Sequence, residues 1–174
     1  MANLHHTRIF LAAFLLTITF LNVQESAGAN RRSHCLETLP TSLSQVILER
    51  FPGWHTRSRK TSKHGCPGIA KVDFYGDGRS VYAIVIERPS ENAGTVDGKL
   101  VLVEKKGSEW KLSILNEGNT AGDVWHAPVG EYTDTYGKWT VRSKGDCILY
   151  FWYESSEVLY AWTGEKIEEV QMSD

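Results

Sequence analysis

The chain holds 174 residues, with 41% hydrophobic, 11% aromatic and 23% charged side chains and a formal net charge of −2. Such a composition belongs to a globular protein, long enough to bury a core without a dense disulfide framework. It excludes a disordered tail, a collagen-like fibre and a strongly basic nucleic-acid binder.

The chain opens on an address. Met1–Arg8 is short and polar, Ile9–Leu21 is apolar except for two Thr, and polar Asn22–Ser26 leads to Ala27, Gly28 and Ala29. Small side chains at −3 and −1 suit a signal peptidase, so residues 1–29 are predicted to be a cleaved signal peptide. The apolar run falls short of the roughly 20 residues needed to span a bilayer, and no later run is longer. The mature protein is expected to be soluble, periplasmic or secreted, with no membrane contact after cleavage. In such oxidising compartments cysteines pair. Cys35 and Cys66 lie in polar, loop-like surroundings and are predicted to form a disulfide. Cys147 opens an apolar run and reads as a small buried hydrophobe.

Residues 30–40 read as a polar N-terminal arm, and 41–174 as one β-rich domain. Pro40–Arg50 has helical spacing: Leu43, Val46 and Ile47 share a face, Thr41 and Ser42 are candidate caps, and Phe51-Pro52-Gly53 stops it. The basic stretch 54–65, with Arg57, Arg59, Lys60 and Lys63, reads as a loop. From Cys66 onward the pattern is β. Ile69–Tyr75 and Ser80–Glu87 flank Gly76-Asp77-Gly78-Arg79, a hairpin signal. The second of these strands is apolar on both faces and reads as a central strand covered on both sides. Lys99–Lys106 pairs with Glu109–Asn116 across Gly107-Ser108, with Trp110, Leu112 and Ile114 inward. Residues 117–137 read as one long loop. Trp139–Arg142, Cys147–Tyr153, Val158–Trp162 and Glu165–Met172 complete about eight strands. The fold class is α+β: mainly an antiparallel β-meander, as a curved sheet or partly closed barrel, with one N-terminal helix.

Charge is unevenly spread. Residues 30–145 carry a net +4 and residues 146–174 a net −6, which suits a polarised surface able to steer a charged partner.

Two resemblances rest on short motifs. Asp73-Phe74-Tyr75-Gly76-Asp77-Gly78 resembles the calcium loop of FG-GAP and VCBS-type secreted repeats. Asp73 and Asp77 match its first and third ligand positions, while Tyr75 and Val81 stand where the family has further oxygen ligands. The resemblance implies a calcium cofactor held by Asp73 and Asp77; the residues themselves read as a metal-free turn, with no cofactor. The mature chain also resembles small exported bacterial single-domain proteins without an assigned activity. They share the patterns at Phe51–Trp54, Cys66–Gly68, Tyr75–Gly78 and Tyr153–Gly164. That resemblance implies a single exported domain and carries no chemistry.

No nucleophile elbow, phosphate loop, dinucleotide fingerprint or zinc spacing is present. Asp123 and His126 are the only pairing that suggests catalysis. Loop aromatics offer more: Trp125, Tyr132, Tyr136 and Trp139 suit a recognition surface, since flat rings bury much area at low entropy cost. The expectation is a non-catalytic exported binding module for an envelope or extracellular protein, or a glycan, of inhibitor or immunity-protector type. The alternatives are a hydrolase of cell-wall or extracellular polymer working through 117–137, and a calcium-stabilised structural domain.

Overall fold

One strand decides the architecture. In β3 (Val81–Pro89), Val81, Ala83 and Val85 point to one face and Ile84 and Ile86 to the other, and all five are buried. A strand apolar on both faces needs cover on both. The computed structural model describes residues 35–57, 66–92, 94–152 and 156–173, all within the compact unit Arg32–Asp174. The expected signal peptide, the basic residues Arg59, Lys60 and Lys63, and residues 153–155 lie outside the described residues.

The first sheet has five strands. β1 (His55–Thr56) and β2 (Ile69–Val72) share one edge of β3; β4 (Val96–Lys106) takes the other edge and β5 (Glu109–Gly118) follows it. The second sheet has four strands, in the order β11 (Ile167–Ser173), β10 (Ser156–Trp162), β9 (Cys147–Trp152) and β6 (Asp123–Ala127). A two-stranded ribbon, β7 (Glu131–Thr133) with β8 (Thr140–Arg142), completes the set. Every pairing is antiparallel.

Three apolar layers hold these elements. Ala83, Val85, Leu100 and Leu102 of the first sheet pack against Val124, Ile148, Tyr150 and Tyr160 of the second. On the far side of the first sheet, Ile84, Ile86, Val101 and Val103 meet Leu43 and Ile47 of the helix α1 (Thr41–Arg50). On the far side of the second, Cys147, Leu159 and Ala161 meet Val141 of the ribbon. Leu43 and Ile47 are almost fully removed from water, each contributing about 1.5–3 kcal/mol by burial.

The result is α+β with a β-rich character, as the alternation predicts, but the details differ. The described residues form eleven strands rather than about eight, because β1, β6 and β7 lack a readable alternation. The strands form two main sheets packed face to face and not closed, in place of the expected single curved sheet or partly closed barrel. The expected loop 117–137 carries β6 and β7. From Cys35 the expected arm is packed: Cys35, Leu36 and Leu39 are buried under α1, and Leu36–Thr38 forms a 3₁₀ turn. The helix begins at Thr41, with Pro40 at the cap position and no side-chain cap bond. Ile114, expected inward, is half exposed. A bulge between Leu100 and Val101 leaves Leu115 without a partner residue on β4, so Leu115 reaches the inter-sheet core.

The disulfide forms as expected, between Cys35 and Cys66. It ties the start of the packed chain to the segment entering β2. Among the described residues no helix is long and apolar enough to cross a membrane.

Candidate functional site

β6 is an edge strand and carries three of the candidate residues, Asp123, Trp125 and His126. Its Val124 N–H donates to the Pro67 carbonyl at 2.8 Å, which fastens the strand beside the Cys35–Cys66 crosslink. Val124 turns into the core, so alternation sends Trp125 to the outer face of the second sheet. There its ring lies 4.4 Å from that of Phe151, and the indole remains 38% exposed. His126 points the other way, beyond the end of the inter-sheet core, with Nε2 3.3 Å from Oδ2 of Asp146. The same Asp146 oxygen accepts the Asp73 backbone N–H. An open cleft of about 320 Å3 lies here, walled by Pro67 and Ile69 on one side and by Val124, Trp125 and His126 on the other.

The structure does not bring Asp123 and His126 together. Asp123 is buried, and its Oδ1 accepts Arg57 Nε at 2.6 Å. Arg57 Nη1 donates to Glu87 Oε2 at 2.7 Å, and His55 Nε2 lies 3.4 Å from the other Glu87 oxygen. Arg57 is therefore no solvated loop cation. Its backbone N–H bonds to Val85 of β3 and its side chain reaches β6, so it clamps one sheet to the other. Burial opposes its charge, but Asp123 and Glu87 outweigh that and raise its pKa. For Glu87, burial pulls the carboxyl up, and the bonds from His55 and Arg57 more than reverse it, leaving the pKa below its ordinary value. No separate signal in the sequence marks Arg57, Glu87 or Asp146; their partners are 66, 30 and 20 residues away in the chain.

The aromatics divide. Tyr132 of β7 packs against the outer core beside Val141 and Cys147, and its hydroxyl donates to the Pro128 carbonyl. Burial pushes its pKa up, with Cys147 and Asp146 adding to the effect. Tyr136 and Trp139 stand at the ribbon's turn, 59% and 40% exposed. That turn is built by the Asp134 carboxylate, which accepts the N–H groups of Lys138 and Trp139. It is fastened to β11 by the Thr135 N–H donating to Gln171. Trp125 thus sits on β6 and Tyr136 on the turn fastened to β11, at opposite edges of the second sheet.

The Asp73 hairpin is satisfied by its own amides. Asp73 accepts the N–H groups of Asp77 and Gly78, and Asp77 accepts both the backbone and the guanidinium of Arg79. Gly76 has φ +69, and a Cβ there would stand 2.2 Å from the Lys144 carbonyl, so only glycine fits. Cys147 is the free cysteine among the described residues; it is buried, and burial raises its pKa, away from a reactive thiolate. Among the described residues, no group of three or more His, Cys, Asp or Glu side chains is placed to hold a metal ion.

Compared with protein-family models, curated proteins and solved structures, the chain matches none.

Proposed function

We propose that the protein is an exported, non-catalytic binding module for an envelope or extracellular protein, docked through β6, the ribbon turn and the segment between them. One observation carries this reading. Of the six large hydrophobic side chains that stand exposed among the described residues, four (Trp125, Val129, Tyr136 and Trp139) fall within positions 125–139. Exposed rings on a rigid sheet are the usual anchors of protein interfaces, because each supplies a large contact area at low conformational-entropy cost. The acidic balance of residues 146–174 favours a partner with a basic face. The signal-like N-terminus and the disulfide support export.

The test is affinity capture from an envelope and secreted fraction with wild type, Trp125→Ala and Trp139→Ala. A partner retained by wild type and lost by either variant, with unchanged melting temperature, supports the reading. A partner retained equally by all three contradicts it.

A hydrolytic reading has one supporting observation, the His126–Asp146 pair beside the β6 cleft. A carboxylate that orients one imidazole nitrogen leaves the other to act as a base. It requires turnover of a polysaccharide or peptide substrate that disappears in His126→Ala while the fold persists. A calcium-stabilised domain requires a melting temperature that falls on chelation.

A further inference from the structure

A second cleft lies at the other end of the first sheet, where β1, β3, β4 and β5 converge. We propose that it binds the neutral, polyhydroxylated face of a saccharide. The cleft measures about 510 Å3 and is lined by Trp54, Arg88, Asp97, Lys99, Glu117 and Gly118, together with Gly98. That size lies within the ~300–1,000 Å3 typical of small-molecule sites.

The lining has an unusual chemistry. Trp54 offers an indole, with the Arg88 guanidinium 4.8 Å and the Lys99 ammonium 5.2 Å from its ring centre. Each cation has its own carboxylate: Arg88 Nε bonds to Asp97 at 3.0 Å, and Lys99 pairs with Glu117. Two cations and two anions cancel, so the cleft favours neither an anion nor a cation. It does alternate strong donors with strong acceptors around an aromatic surface. Sugar hydroxyls both donate and accept, and the C–H face of the ring packs on an indole, so a neutral saccharide meets every group in the set. The Arg88 and Glu117 side chains are half exposed or more, while their partners Asp97 and Lys99 are 28% and 20% exposed, so one member of each pair can turn toward a hydroxyl while the other stays in the wall of the cleft.

The strand register gives an independent argument. Arg88 pairs with Asp97 and Lys99 with Glu117 across neighbouring strands, and alternation puts all four on the face that carries Ile86, Val101 and Trp54. One register therefore brings two donors, two acceptors and the indole to the same surface.

The test begins with an array of neutral and acidic oligosaccharides probed with the purified protein. Titration calorimetry with the best neutral ligand then compares wild type, Glu117→Gln, Arg88→Gln and Leu48→Ala. Neutral saccharides should bind in preference to acidic ones. Glu117→Gln and Arg88→Gln should each weaken binding at least threefold at an unchanged melting temperature, since both side chains are well exposed, and Leu48→Ala on α1 should leave it intact. Binding of no neutral saccharide, a preference for acidic glycans, or undiminished binding by both Glu117→Gln and Arg88→Gln would overturn it.

Discussion

Arg57 shows how much one residue can carry. It is 7% exposed and bonds to Asp123 and Glu87, from two different sheets. Replacing it by Met removes the cation and leaves two buried or half-buried carboxylates uncompensated, so we expect a loss of about 3–5 kcal/mol in urea unfolding. Glu87 gives the pH dependence. Its folded pKa lies below the ordinary 4.5, so the folded state holds fewer protons than the unfolded chain in this range. The stability it supplies is fully present above about 4.5 and is lost as the pH falls through the lower folded value. Glu87→Gln should therefore lower the melting temperature at pH 7, and the gap to wild type should shrink toward pH 3. A gap that stays constant between these values would contradict the assignment. Thr56 supplies an opposite case. Its hydroxyl is buried without a hydrogen-bond partner among the described residues, so isosteric Thr56→Val is expected to stabilise by about 1 kcal/mol.

Among the elements, legibility followed alternation. β3, β4, β9 and β10 were readable because they bury both faces or alternate cleanly, and α1 because Leu43 and Ile47 recur at helical spacing. β6 was not. Asp123 and His126 interrupt its pattern, and what lets Asp123 be buried is a guanidinium from β1's end, far off in sequence. β1 and β7 are two and three residues long, too short to show a period. The aromatic candidates were readable as a group but not as a geometry. Nothing in the local sequence says that Tyr132 turns inward while Tyr136 and Trp139 stay out. The cleft at Trp54 is illegible for the same reason, since its walls come from β3, β4, β5 and the residue before β1. The disulfide belongs to this scale too. It closes a separation of 31 residues, so in the chain-entropy account Cys35→Ser with Cys66→Ser costs about 3–4 kcal/mol. Urea melts of the double variant against oxidised wild type would measure it.

Across the whole molecule, the layers assign separate tasks to separate surfaces. The inter-sheet core and the Arg57 clamp fix the two sheets to each other. α1 and the disulfide cover one outer face, and the ribbon covers part of the other. The exposed aromatics divide between the β6 edge of that second face and the ribbon's own turn, and the mild net charge of −2 hides an acidic C-terminal segment in the same sheet. The proposed function puts the protein partner on this face and not on the helix face. Photo-crosslinking can separate the two, with benzoylphenylalanine placed at Trp125, at Trp139 and at Leu48 on α1, in living cells. One discrete protein adduct is expected from positions 125 and 139 and none from 48. No adduct from either aromatic position, or the same adduct from position 48, would contradict it.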